Sequence, residues 1–200
     1  IYTDVDGVYT TDPRIEKKAT KLNRVSYEEM LEMASLGAKV LQTRSVELAM
    51  AKQVPLRVLS SFVEPDENGN LPAEAGTLIC DEEDIVEKRI VSGVTVSRDE
   101  ARITLLGLAD RTDAPADVFT RLAEANVNVD MIVQSQARTE GTVNLTFTTG
   151  RRDAVRAQDL MTAAKAEIQF EEIRVDADVA KVSVIGVGMR SHAGVAQTMF

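Results

Sequence analysis

The sequence has one cysteine, one histidine and no tryptophan among its 200 residues. A single thiol, Cys80, excludes an internal disulfide and fits a reducing, cytoplasmic setting. Cys80 and His192 stand far apart, so they supply neither a zinc site nor a nucleophile–base pair. His192 lies in a Ser-His-Ala-Gly run, where a capping or structural role is expected. Aromatic residues make up 4%, too few for the stacking platforms that hold single-stranded nucleic acids. Basic residues are outnumbered, 23 against 32 acidic ones, for a net charge of −9. That balance speaks against nucleic acid and against anionic membrane surfaces as partners. No apolar run approaches the ~20 residues of a membrane span, and no signal peptide is visible. No Met opens the chain, and Phe200 falls within an expected helix, so a fragment cut at both ends is expected.

What is present is an ordinary globular mix, 44% hydrophobic and 28% charged, with room for one or two cored domains. The stretch Tyr2 to Arg14, YTDVDGVYTTDPR, carries three aspartates, a glycine, a proline and an arginine. Asp6-Gly7 and Asp12-Pro13 are turn signals. Ile1 to Asp4 therefore reads as a strand end that opens into a polar loop. Loops at the carboxyl ends of strands in α/β sheets are where ligands sit. Thr3 and Asp4 suit a base or ribose, Tyr9 a ring face, and Arg14 phosphate oxygens. A solvated acidic loop fits the same residues, and composition alone favours it.

Ser26-Tyr-Glu-Glu29 is a capping box that predicts a helix start, with Met30, Met33, Ala34 and Leu36 on its buried face. A second helix is expected from about Ala38 to Gln53, with Lys39 near its first turn. Pro55 ends it, and Leu56 to Phe62 reads as a strand. Glu64 to Gly76, with two prolines, two glycines, two asparagines and four acids, reads as a linker. Gly76 to Cys80 reads as a short apolar run rejoining a sheet, and Asp81 to Lys88 as solvated, with helical character.

From Ile90 the pattern changes. Arg102 to Leu108, Val127 to Gln134, Thr142 to Thr148 and Ile168 to Val175 are strand-like. Ala114 to Ala125 and Ala154 to Ala166 are helix-like. The order βαββαβ is a split-βαβ, ferredoxin-like unit. ARITLLGL at 101–108 is echoed 79 residues later by AKVSVIGV at 180–187. The repeat predicts a second copy, begun but not completed.

YTDVDGVYTTDPR followed by KATKLNRVSYEEMLEMASLGAKVLQTRSVELA closely resembles the second half of the kinase domain of aspartate kinases, over most of residues 1–62. NVNVDMIVQ and GMRSHAGVA resemble the paired ACT domains, the amino-acid-sensing modules that follow that kinase domain, over about residues 91–200. The resemblance implies an α/β fold: the C-terminal part of an amino-acid-kinase three-layer domain over 1–80, a linker over 81–90, a first ferredoxin-like ACT domain over 91–176 and the start of a second over 177–200. It places an ATP site on Thr3, Asp4, Tyr9, Thr10, Thr11, Asp12, Pro13, Arg14, Lys39 and Val40. Effector contacts fall on Asp110 to Pro115, Asn128, Val129, Asp130 and Gln134, and in the second copy on Gly194 and Val195. Asp113 stands where the family usually has glycine. The residue is a strong N-cap, expected to fold its carboxylate onto the helix amides and compete with an effector's carboxylate.

The resemblance further implies a parent enzyme that transfers the γ-phosphoryl group of ATP to the β-carboxylate of L-aspartate, with Mg²⁺. That step opens synthesis of lysine, threonine, methionine and diaminopimelate, with feedback by lysine, threonine or both. No catalytic residue and no metal ligand fall in this stretch, because the glycine-rich lysine loop of the family lies upstream. A homo- or hetero-oligomer built through the ACT domains is expected. The alternative is a non-catalytic, amino-acid-sensing regulatory subunit. Another amino-acid-kinase superfamily member is a third reading, opposed by the paired repeat.

Overall fold

The computed structural model describes residues 1–72, 75–85, 89–186 and 194–199. It divides into two compact units, Ile1–Val96 with Val182–Phe200, and Ser97–Lys181.

The first unit is built on a sheet of four short strands: β1 (Tyr2–Thr3), β2 (Arg24–Ser26), β3 (Leu56–Ser60) and β4 (Thr77–Cys80), in the order β1-β3-β4-β2. β1 runs parallel to β3, with Tyr2 opposite Leu59, and β2 runs parallel to β4, while β3 and β4 are antiparallel. The loops after β1 and β3 therefore leave from the same end of the sheet. Helix α1 (Tyr27–Ser35) starts where the sequence predicts. Ser26 Oγ accepts from the Glu29 amide and the Glu29 carboxylate accepts from the Ser26 amide. The buried Glu29 carboxylate also takes a hydrogen bond from the Ser92 hydroxyl. Met30 and Met33 point into a core shared with Val8, Leu22, Val25, Val46, Val58, Ile79 and Ile185.

The second helix begins later than the sequence suggests. α1 ends in a Schellman closure: Gly37 takes φ +112° and the Ala38 amide bonds back to the Met33 carbonyl. The chain must then turn through Lys39 and Val40 before α2 (Thr43–Ala51) can form. Lys39 is thus a turn residue rather than a residue of the first helical turn. Residues 64–72 of the expected linker are irregular, with the Asp66 carboxylate accepting from the Asn68 and Asn70 amides. Beyond β4 a 3₁₀ turn forms over Glu82–Asp84, the one helical element among the described residues of 81–90.

The second unit is βαββαβ. Its elements are β5 (Gly93–Ala109), α3 (Ala114–Glu124), β6 (Val129–Gln136), β7 (Thr142–Thr149), α4 (Ala154–Ala163) with a short α5 (Lys165–Ile168), and β8 (Glu172–Ile185). The sheet order β6-β7-β5-β8 is that of a ferredoxin-like fold. The alternation read in VNLTFT is real: Val143, Leu145 and Phe147 point inward and meet Ile103, Leu105, Val118, Leu122, Met161 and Ile168. The helix expected over 154–166 is interrupted at Ala164, which gives α4 and α5. The two strands expected over 168–175 and 180–187 are one continuous strand, β8. Between them Asp176-Ala-Asp-Val contains neither glycine nor proline, so nothing in the local chemistry turns the chain. The end of the echoed motif, His192 and most of GMRSHAGVA lie outside the described residues.

β6 is an edge strand with Met131, Ile132 and Val133 exposed at 44%, 53% and 47%. The centre of the second unit is Phe147, fully buried and edge-on to Phe119 at 5.9 Å between ring centroids. Phe147→Ala removes that packing and leaves a cavity, at a cost of about 3–5 kcal/mol. The expected outcome is a lowered denaturation midpoint for the second unit, read by tyrosine-independent far-UV dichroism. An unchanged midpoint would show that the unit is not built around this ring.

Candidate functional site

The polar loop predicted after β1 is present, and its shape follows from two short backbone ties. The Thr10 amide bonds to the Thr20 carbonyl at 2.9 Å and the Leu22 amide to the Val8 carbonyl at 2.8 Å. Tyr9 and Lys21 bridge in antiparallel fashion between them. Residues 8–10 and 20–22 are therefore the two sides of a closed loop whose tip carries Thr11, Asp12, Pro13 and Arg14. A single helical turn follows Asp12, whose carbonyl accepts from the Ile15 and Glu16 amides.

Most of the candidate nucleotide residues lie on this loop or at its root. Thr3, at the end of β1, donates its hydroxyl to Asp4 at 3.1 Å. Tyr9 donates its phenol to the Asp6 carboxylate at 3.1 Å, and partial burial, then Asp6, pushes that phenol above its ordinary pKa. Thr10 Oγ1 accepts from the Thr20 amide. Thr11 and Asp12 are half-buried, and Pro13 and Arg14 are exposed. Arg14 forks onto Asp12, Nε to Oδ1 at 3.0 Å and Nη2 to Oδ2 at 2.8 Å. The guanidinium holds the Asp12 carboxyl below the usual carboxylate range. The fork, of a geometry that suits phosphate as well as carboxylate, is thus formed and exposed, and it already carries a carboxylate. Lys39 is exposed, with no hydrogen-bond or ion-pair partner among the described residues. Val40 is half-buried against the core of the first unit.

In the second unit the candidate effector residues lie in two groups. One is the turn from β5 into α3. Asp110 is exposed and its amide bonds to the Gly141 carbonyl. Arg111 reaches Asp113 with Nη1 and Asp117 with Nη2, each at 2.7 Å. This corrects the expectation for Asp113. It occupies the N-cap position of α3, but its backbone is already helical, φ −90° and ψ −14°, and its side chain makes no capping bond. A cap needs extended backbone to bring its oxygen over the amides. Here the carboxylate turns to Arg111 instead, which holds it below its ordinary pKa. Asp113 does not cover the helix N-terminus.

The other group is on β6. The Asn128 carbonyl accepts from the Thr149 hydroxyl at 2.8 Å, and Val129 pairs with Thr149. Asp130 is ion-paired with Lys181, which also lies 3.6 Å from the buried Glu100. Partial burial alone would depress the Lys181 ammonium, but Asp130 and Glu100 outweigh it and raise its pKa. Gln134 is exposed opposite Leu145. Gly194, at φ +93°, precedes the short α6 (Val195–Met199) that Val195 opens.

Sequence reasoning missed Thr77, Lys21 and Lys181; Arg111 was named only within the Asp110 to Pro115 stretch, without its pairing to Asp113 and Asp117. Thr77 alone left a sign: it is the one hydroxyl in the apolar run TLIC. Lys181 left none, since strand lysines are usually solvated.

Residues 1–60 match the model of the amino acid kinase family. Over its whole length the chain is 50% identical to an aspartate kinase of Stutzerimonas stutzeri and 49% identical to the aspartokinase of Pseudomonas aeruginosa, covering 46% and 47% of those proteins. The chain spans about half the length of the curated relatives it matches. E. coli aspartokinase III in complex with aspartate and ADP matches over 100% of this chain and 42% of its own, with TM-score 0.75 and 30% identity. The ligand-free regulatory subunit of aspartate kinase from Thermus thermophilus matches over 56% of this chain and 73% of its own, with TM-score 0.51 and 36% identity. An amino-acid-kinase sheet joined to a ferredoxin-like unit is the class these observations define. More particularly, the chain belongs to the aspartate kinase family.

The structure makes Asp113 replaceable. Asp113→Ala removes one of two Arg111 partners at an exposed position and no cap, so the melting temperature should stay within about 2 °C. A fall of roughly 5 °C or more, the loss expected of a true N-cap, would restore the capping role.

Proposed function

We propose that this chain is part of an aspartate kinase, carrying one side of its ATP site and an amino-acid-sensing ACT module. The observation that carries the reading is the closed loop after β1, with its exposed Asp12–Arg14 fork. A family match over residues 1–60 and a relative solved with ADP support it. In the reaction, a β-carboxylate oxygen of L-aspartate attacks the γ-phosphorus of ATP. The bond from that phosphorus to the β–γ bridging oxygen breaks, giving aspartyl phosphate and ADP. Both are charged species and no proton need move in the step itself. Catalysis of this kind rests on positioning and neutralisation. This chain's part is to hold and orient the nucleotide: Thr3 and Asp4 toward the base or ribose, Tyr9 toward a ring, Arg14 toward phosphate.

Arg14 must leave Asp12, or share it, when a phosphate arrives. Asp12 is therefore a placeholder that keeps the fork in shape in the empty site. Lys39 and Val40 complete the proposed nucleotide surface. Mg²⁺ accompanies the nucleotide in such transfers. Among the described residues no three carboxylate, histidine or cysteine groups converge on one point, and no step is routed through the ion.

The effector reading assigns an amino acid's carboxylate to the α3 N-terminus after Asp110 and its ammonium to Asp130, with Asn128, Val129 and Gln134 beside it. Gly194 and Val195 are the matching positions of the second copy. A relative, E. coli aspartokinase III, has been solved with lysine and aspartate bound, which favours lysine as one effector. Any incoming ammonium meets Lys181 already at Asp130 and must replace it. The open β6 edge, with its exposed Met131, Ile132 and Val133, supports assembly through these modules. No described helix is long and apolar enough to cross a membrane, which is consistent with a cytoplasmic enzyme. A non-catalytic regulatory subunit is the second reading, favoured by the match to the Thermus thermophilus subunit.

In the complete enzyme, Arg14→Ala should raise the KM for ATP by about tenfold, the scale of a charge-assisted phosphate contact. The KM for aspartate should move less than about twofold, since uniform binding is lost only for the nucleotide. An unchanged ATP dependence would show that Arg14 is a surface charge and that the fork belongs to Asp12 alone.

A further inference from the structure

Among the described residues the Thr77 side chain makes no bond to its own strand or to its neighbours on β3. Its hydroxyl instead joins the two sides of the candidate nucleotide loop. Thr77 Oγ1 accepts from the Val8 amide at 2.8 Å and donates to the Leu22 carbonyl at 2.6 Å. Val8 and Leu22 are the residues at which that loop closes. All three are buried, at 0%, 1% and 3% exposure, so no water stands ready to replace the hydroxyl. The approach is close: a β-carbon on Gly7 would lie 2.7 Å from Thr77 Oγ1 and 2.9 Å from the Lys21 side chain. Gly7 is thus glycine because Thr77 reaches past it to the Val8 amide.

We infer that Thr77 is a positioning residue for nucleotide binding, acting through the loop rather than on the ligand. The inference rests on the reading of residues 3–14 as a nucleotide site. With the hydroxyl in place, Val8 is fixed against β4, and Tyr9 to Arg14 leave from a defined root. Without it, the Val8 amide and Leu22 carbonyl are left buried with one partner fewer. The loop then relieves them by shifting toward water, and the Asp12–Arg14 fork moves with it. A sheet threonine with only a packing role would lose stability on replacement but would not single out one substrate.

The test compares Thr77→Val, which keeps the shape and loses the hydroxyl, with Thr77→Ser, which keeps the hydroxyl, in the complete enzyme. Thr77→Val should raise the KM for ATP by about fivefold, the scale of one neutral hydrogen bond, while the KM for aspartate moves less than about twofold. Thr77→Ser should restore the ATP value. Amide exchange at Val8 in nucleotide-free enzyme should quicken in the valine variant and not in the serine variant. Should Thr77→Val fail to fold, Thr77→Ala against Thr77→Ser makes the same comparison of hydroxyl present and absent. An ATP KM unchanged in the hydroxyl-free variant while Arg14→Ala raises it overturns the inference. So does an equal rise in both substrates' KM values that serine does not rescue. If neither Thr77→Val nor Arg14→Ala moves the ATP KM, the nucleotide reading itself fails, and this inference falls with it.

Discussion

The closed loop of the first unit is tied at its root by one buried hydroxyl. Thr77, at the head of β4, satisfies an amide on one side of the Val8–Leu22 closure and a carbonyl on the other. A polar loop rich in aspartate has no core of its own, and its residues gain little from burial. It keeps a shape only if its two ends are fixed, and a buried amide there must be paired. One threonine meets both demands. The consequences run outward from it: Gly7 must lack a side chain, Tyr9 and Lys21 face each other, and Thr11 to Arg14 are carried at the tip. What the loop can do chemically, presenting a planar cation to solvent at the carboxyl end of a parallel strand, follows from where it is tied.

A second regularity concerns charge. The charged groups put forward for ligands are mostly paired within the chain: Arg14 with Asp12, Asp113 with Arg111, Asp130 with Lys181. A charged ligand at any of these places exchanges one ion pair for another and does not meet a bare charge. The gain on binding is then a difference between two pairs, smaller than either and sensitive to salt because most of these groups are exposed. Asp12 shows the direction of the pH dependence. Its carboxyl is held below the ordinary range by Arg14. The pair is therefore intact above the ordinary carboxylate value and is lost only as pH falls through the lowered one. At neutral pH a phosphate brought to Arg14 would therefore have to compete with Asp12.

Much of the architecture was legible because it rests on local chemistry. The capping box at Ser26 and Glu29 placed α1, and the alternation in VNLTFT placed β7 and its inward face. The order of periods gave the ferredoxin-like unit. What escaped reading was set by contacts distant in sequence or by backbone state. The delayed start of α2 comes from the Schellman closure at Gly37, which consumes the residues a helix would have used. The continuous β8 hides behind a repeat in the sequence, which marks similarity but not where a strand ends. Asp113 looked like a cap by identity and is not one, because Arg111 and a helical φ/ψ pair leave its carboxylate elsewhere. The nucleotide candidates on 3–14 were found by resemblance and turn chemistry. Thr77, 69 residues from Val8 in the chain, could be found only once the fold had brought them together.

The central claim is that the loop after β1 is where nucleotide is held. Hydrogen exchange of the complete enzyme, measured with and without a non-hydrolysable ATP analogue, tests it most directly. Residues 4–16 should gain protection on adding the analogue, with the gain greatest around Thr11 to Arg14, whereas β7 and α4 in the second unit should exchange as before. Protection that leaves residues 4–16 unchanged, under conditions where the analogue is shown to be bound, would contradict the account.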